Sequence, residues 1–257
     1  MITFKSDRDL IKMRRAGQIV ADILKLMRDM VKPGIDTLTL DEAAERLVIK
    51  AGAKPAFKGY KVPWVPVPFP GTICASINDE IVHGIPSRSR ILQDGDIISI
   101  DTGASIEGFF GDAACTYAVG QISESRQRLL DITLDSLHRG MEAVKPGATI
   151  GDIGFAVEST VAPLGYGLVR DYSGHGIGRK LHEAPQVPNF GTPGRGITLK
   201  SRMTFCIEPM VMTGGEKVKN LSDEWTVSTK DGSDAAHFEN SLLVTENGVE
   251  ILTPWER

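Results

Sequence analysis

The sequence predicts an α+β fold of two pseudo-symmetric halves, each with two helices followed by antiparallel strands. Three observations carry this. Val31-Lys32-Pro33-Gly34 recurs as Val144-Lys145-Pro146-Gly147, and at the same offset of 113 residues Leu40 falls on Ile153, Glu45 on Glu158, Val48 on Val161 and Gly52 on Gly165. A register held beyond one tetrapeptide marks a duplicated unit. Residues 96–120, DIISIDTGASIEGFFGDAACTYAVG, form a hairpin pattern of strand formers around a turn. A second pair of strand-like runs, 201–211 and 235–248, closes the other half. The halves run roughly over 4–120 and 121–254, inside a single domain spanning 1–257.

Each element has a local cause. Residues 6–31 form an amphipathic helix capped by Ser6 or Asp7, with Leu10, Met13, Ile19, Ile23, Leu26 and Met30 as its apolar stripe and Lys12, Arg14 and Arg15 on the solvated face. A second helix starts at a capping box from Thr39 to Glu42 and runs to Ala51-Gly52. Residues 54–71 hold Pro63, Pro66, Pro68 and Pro70, which exclude a helix or a central strand. Taken alone, this loop, with its aromatics Trp64 and Phe69, reads as a rigid connector in preference to the functional alternative, a pocket rim. A short strand from Cys74, a turn at Asn78-Asp79 and His83 beside Gly84 follow, and 123–144 is helical again.

The chemistry lies in the paired acids. With Ile106 and Glu107 as turn residues, Asp101 stands opposite Asp112, and opposite residues on one face have Cβ atoms about 5 Å apart. Glu208 and Glu239 occupy the corresponding strands of the second half. A single such pair is most simply two exposed acids. Four acids brought to the seam between the halves cannot all ionise without cations. His175 lies between glycines, and oxygen ligands with one imidazole suit Mn, Fe, Co or Zn. His182-Glu183 lacks the second histidine of HExxH, and Pro185 breaks the helix that motif needs. His138 reads as solvated, and His237 as a neighbour of Glu239 rather than a ligand.

Composition excludes several classes. With a net charge of −4, no global field points to a nucleic-acid or membrane partner. Cys74, Cys115 and Cys206 are scattered without a CxxC, which argues for a reducing compartment, the cytoplasm. The charged N-terminus has no apolar core, so no signal peptide is expected.

Six separated motifs, NDEIVHGIP, DGDIISIDTG, GFFGDAACT, GHGIGRKLHEAPQVPN, TFCIEPMV and the Phe238-Glu239 strand, resemble type I methionine aminopeptidases of the bacterial kind. The resemblance spans nearly the whole chain. It implies the pita-bread fold around two divalent metal ions (Co, Mn, Fe or Zn). Asp112 and Glu239 are then shared by both ions, Asp101 completes one site, and His175 and Glu208 complete the other. It further implies removal of the initiator methionine from nascent polypeptides when the second residue is small. Glu208 is the implied general base, and His182 and His83 hydrogen-bond the substrate. Cys74, Phe69 and Trp225 are implied pocket walls, with Leu181 nearby. Work near the ribosome and a monomeric state also follow from the resemblance.

Two departures stand out: Leu181 occupies a position often aromatic in the family, and the Pro-rich loop is longer, with Phe69 where a tyrosine is frequent. The 31 residues between Glu208 and Glu239 leave no space for the helical insert of type II enzymes. The rival readings are a prolidase or other Xaa-Pro peptidase on the same fold, and a non-catalytic binding protein.

Overall fold

The computed structural model describes residues 2–63 and 65–256, so Trp64 lies outside the described residues. The elements follow in chain order: α1 (Asp7–Met30), α2 (Thr37–Lys50), β1 (Lys54–Pro55), β2 (Ile73–Ile77), β3 (Glu80–Val82), β4 (Ile97–Ile106), β5 (Phe109–Ala118), α3 (Glu124–Glu142) and α4 (Ile150–Val161). After a 3-10 turn come β6 (Gly167–Leu168), β7 (Gly174–Gly176), β8 (Glu183–Val187), β9 (Thr204–Ile207), β10 (Met210–Met212), β11 (Val218–Asn220), β12 (Val227–Thr229), β13 (Ala235–His237), β14 (Glu239–Val244) and β15 (Val249–Ile251).

The main sheet runs β1-β4-β5-β14-β9-β7-β8, with β2 added on β4 and β15 on β14. At its centre, two strands from one half (β4, β5) meet two from the other (β14, β9). This is the curled antiparallel sheet of the pita-bread fold. The 113-residue offset persists in the backbone: Gly34 and Gly147 have φ of 87° and 89°, and Gly52 and Gly165 have 71° and 79°. Left-handed φ is open to glycine at little cost, so the same turn recurs at both copies.

The helices cover one face of the sheet. A Cβ on Gly111 in β5 would meet Gly17 N of α1 at 2.8 Å, and one on Gly140 of α3 would meet Ile207 Cγ2 of β9 at 3.3 Å. Neighbouring strand residues point to opposite faces. Asp112 therefore faces away from α1, and Cys206 and Glu208 face away from α3. A large apolar core lies between helices and sheet, containing among others Leu24, Leu40, Ile98, Ile153 and Phe205.

Several boundaries differ from expectation. The tight turn of the first hairpin is Glu107-Gly108, with φ of 51° and 76°, and Ile106 pairs with Phe109. Asp101 therefore stands opposite Ala114, and Asp112 opposite Gly103. The offset is two residues along the strand, so the two acids keep a common face. α2 begins at Thr37, capped by Asp36, whose carboxylate accepts from Thr39 N at 2.9 Å. The run 201–211 divides around Glu208-Pro209, and the run 235–248 divides at Phe238. Pro209 has no N–H to give a ladder.

α1 lies on the backbone of the C-terminal segment as well: a Cβ on Gly17 would come 2.0 Å from Leu252 O. Gly17→Ala is expected to lower the urea unfolding midpoint, costing about 1–3 kcal/mol as overpacking does. At an open helical position the same change gains up to about 1 kcal/mol. A raised midpoint would refute the contact.

Candidate metal centre

The strand register carries four acids to one place. Asp101 pairs with Ala114, and Ala114 pairs across the seam with Glu239. One step beyond the Asn240–Ile207 pair, the same register sets Glu239 opposite Glu208. Asp112 lies two residues from Ala114 on the same face. His175 enters from β7, next to β9 in the sheet. Its Nε2 is 3.7 Å from Asp112 Oδ2 and 3.7 Å from Glu208 Oε1.

His175 and three of the acids are fixed by hydrogen bonds to their rings or peptide groups. His175 Nδ1 donates to Gly176 O at 3.0 Å, which leaves Nε2 as the free, electron-donating nitrogen. Asp112 is held through its backbone: its N–H donates to Ser241 Oγ, and Ser241 Oγ donates to its carbonyl at 2.7 Å. Trp255 Nε1 donates to Glu239 O at 3.0 Å, and Asn189 Nδ2 to Glu208 O at 2.9 Å.

The electrostatics demand a cation. Burial pushes Asp101 up to about 7. Burial, with repulsion from neighbouring carboxylates, pushes Asp112, Glu208 and Glu239 well above the carboxylate range. Asp101 Oδ1, Asp112 Oδ1 and Glu239 Oε1 are buried without a hydrogen-bond partner. Lys, Arg or a hydrogen-bond donor could satisfy such oxygens, and among the described residues none is supplied. Burial lowers His175 to about 3, so its imidazole is neutral and fit to ligate. Ligand atoms of Asp112, His175, Cys206 and Glu239 all lie within 4.8 Å of one another. The donor set and its orphaned oxygens fit a divalent cation.

The acids form the floor of a cavity of about 500 Å³. Its walls include Phe69, Cys74, Leu181 and Trp225, as the resemblance implies. Phe69 meets Trp225 edge-on at 5.3 Å, and Cys74 pairs with Asp101 across β2 and β4. The Pro-rich loop is more than the connector expected from its prolines. Phe57, Tyr60 and Val62 also line the cavity, and Trp225 Nε1 donates to Val67 O at 2.8 Å.

His182 and His83 both reach the cavity. The His182 ring lies edge-on to His175 at 4.2 Å, and its Nδ1 is hydrogen-bonded to Tyr60 Oη at 2.8 Å. His83 has a φ of 61° and contacts Tyr172 and Trp225 edge-on. Burial lowers it to about 4. His237 is fully enclosed, 3.9 Å from Glu208 Oε2, with neither ring nitrogen partnered. His138 is partly exposed and pairs with Glu256. Sequence reasoning missed Tyr60, His237 as a cavity residue, and Cys206. Tyr60 has no local signal. Cys206 could have been found, because alternation from Glu208 puts both on one face.

The fold and this carboxylate–imidazole floor define a metallohydrolase-like centre at the join of two related halves. Residues 11–246 match the model of metallopeptidase family M24, and the chain belongs to that family. It is 48% identical over 253 residues to methionine aminopeptidase of Clostridium acetobutylicum, covering 98% of this chain and 99% of that one. The crystal structure of methionine aminopeptidase from Thermotoga maritima superposes with a TM-score of 0.95 at 42% identity, covering 98% of this chain and 99% of that one. Prolidase from Pyrococcus horikoshii shares the fold at a TM-score of 0.78 and 24% identity, covering 99% of this chain but 64% of that one. M24 membership and the buried donors make this a divalent-metal-binding chain. Among the described residues, no helix is long and apolar enough to cross a membrane.

Glu183 ties the turn before His182 in place. Its Oε1 accepts from Arg179 N and Lys180 N at 2.7 and 3.0 Å, and its Oε2 from Lys5 Nζ at 3.0 Å. Burial raises its pKa, but the Lys5 and backbone hydrogen bonds outweigh this and leave it below 4.5. A depressed folded pKa contributes stability above the unfolded value and loses it as pH falls through the folded one. Glu183→Gln is expected to cost about 1.5–3 kcal/mol at pH 7, the range for charged hydrogen bonds. The gap to the unsubstituted protein should narrow as pH drops below about 4.3. Denaturant midpoints measured at both pH values check this, and a gap independent of pH contradicts it.

Proposed function

We propose that this chain is a metal-dependent aminopeptidase that hydrolytically removes the N-terminal methionine of polypeptides whose second residue is small. The observation that carries the reading is the cavity itself. Apolar and sulfur-bearing walls lead to a floor of four acids, three of which present unpartnered oxygens. The relatives named methionine aminopeptidase, matched from end to end, favour it over an Xaa-Pro peptidase.

Asp101, Asp112, His175, Glu208 and Glu239 would together hold two divalent ions, with Asp101 serving one and His175 and Glu208 the other. When bound, such ions supply Lewis acidity and a water acidified toward neutral pH. Co, Mn, Fe and Zn all suit the set. The remaining work belongs to the protein. Phe69, Cys74, Trp225 and Leu181 enclose the methionine side chain, whose flexible thioether suits a soft apolar pocket. Glu208, at the cavity floor, takes the proton of the attacking water as general base. His182 and His83 donate hydrogen bonds to the substrate amide and to the developing oxyanion. The Tyr60 hydroxyl, donating to His182 Nδ1, keeps the proton on Nε2.

The spacing of Glu208 and Glu239 supports the type I form, and residues 1–257 act as one catalytic domain. Nascent chain N-termini in the cytoplasm, near the ribosome, are the proposed setting, with the enzyme working as a monomer. Neither a nucleic-acid nor a membrane surface is part of the proposal.

Purified protein supplied with Mn or Co is expected to hydrolyse Met-Ala-Ser and leave Ala-Pro intact, with activity lost to chelator and restored by the metal. Cleavage of Ala-Pro in place of Met-Ala-Ser would overturn the reading in favour of a prolidase. A stripped protein without activity or bound metal under any condition would favour a binding protein. His182→Ala is expected to lower kcat about 10²–10³-fold, the usual loss for one oxyanion donor. Steady-state kinetics on Met-Ala-Ser check it, and an unchanged kcat would remove His182 from that role.

A further inference from the structure

Cys206 is the unexplained member of the cluster. The mechanism gives it no task, yet its thiol sits among the acids. It precedes Glu208 by two residues on β9 and pairs with Ser241, which follows Glu239 by two on β14. Alternation therefore sets Cys206, Ser241, Glu208 and Glu239 on the same face. The thiol is fully buried, 3.4 Å from Ser241 Oγ, and burial, helped by the Glu239 carboxylate beside it, holds its pKa up. A carboxylate oxygen of Asp112, one of Glu239 and a ring nitrogen of His175 lie within 4.8 Å of it, and both acids keep a buried oxygen, Asp112 Oδ1 and Glu239 Oε1, without a hydrogen-bond partner.

We propose that Cys206 is an additional metal donor. With Asp112, His175 and Glu239 it forms a mixed N, O and S site for a soft divalent cation of the zinc–cadmium class. This rests on the reading of the cluster as a divalent-metal centre.

Carboxylates alone favour hard ions such as Mn, and a thiolate among them shifts preference toward thiophilic ions. The geometry is within reach. Donors about 2.0–2.3 Å from one tetrahedral ion stand roughly 3.3–3.8 Å apart. The 4.8 Å spread therefore contracts by about 1 Å, which side-chain torsions supply. On binding, the Cys206 S–H bond breaks, a sulfur–metal bond forms, and the proton leaves to water. The other two thiols are placed differently. Cys74 stands across from Asp101 in the cavity wall, and Cys115 points its sulfur at the Thr116 carbonyl, 3.8 Å away.

The test is titration of chelator-stripped, full-length protein with cadmium chloride, read as near-ultraviolet thiolate-to-cadmium absorbance. Calorimetric titration with manganese runs in parallel. The unsubstituted protein is expected to show the absorbance band. Cys206→Ser is expected to lose it and to bind cadmium at least about tenfold more weakly, the lower end of what even an outer-shell partner contributes. Manganese binding should be unaltered. The Cys74→Ser/Cys115→Ser protein, with Cys206 as its sole thiol, is expected to keep the band, and this arm stands even if Cys206→Ser fails to fold.

A band that survives in Cys206→Ser, or is lost in the double variant, overturns the proposal. So does manganese binding by an unsubstituted protein that shows no cadmium band; the metal-centre reading would then stand without Cys206. If neither ion binds, both readings fall together.

Discussion

Like-charge repulsion among four enclosed carboxylates governs this molecule. Two come from each half, and the sheet register directs all four to the face away from the helices. Among the described residues nothing neutralises them: the nearby imidazole of His175 is neutral, and three of the oxygens lack any donor. An apolar lining of similar shape would be more stable, since desolvating charge is costly unless it is compensated. The compensation is a divalent cation, and the surrounding architecture serves to hold that arrangement. Ser241, Trp255 and Asn189 each clamp the peptide group of one acid, and the Gly176 carbonyl fixes the ring of His175.

The outer layer of the site is organised by contacts that link distant segments. The Pro-rich loop reaches Trp225 through Val67 and His182 through Tyr60. Proline lowers the number of conformations open to such a loop, so Phe57, Tyr60, Val62 and Phe69 are pre-placed before a ligand arrives. On the far side, Lys5 and Glu183 fasten the N-terminal segment to the turn that precedes His182. The histidines are thus positioned from three separate parts of the chain.

Much of this was legible in the sequence, because it rests on short-range pattern. Apolar spacing located α1, the helix over 123–144 is α3, and of the two caps offered for α1 the structure uses Ser6. The 113-residue repeat and the alternation of the hairpins placed the four acids on one face. The residual errors have physical causes. The hairpin slipped by two because Glu107 takes a left-handed φ beside Gly108, the pairing a type I′ turn needs. α2 began early because Asp36 outcompeted the Thr39 box as its cap. Tyr60, Val62 and the enclosed His237 could not be found this way, since tertiary contact alone brings them to the cavity.

The two hairpins differ from their junction in how firmly they are laced. Ten residue pairs join β4 to β5, but only Glu239–Ala114 and Asn240–Ala113 join β5 to β14. The midline is therefore thinly stitched beside the hairpin it joins, and it is also where a cation held by Asp112 and Glu239 would lie. A cation seated there would act as a rivet as well as a reagent: the same ligand that enables chemistry would keep the duplicated lobes from parting.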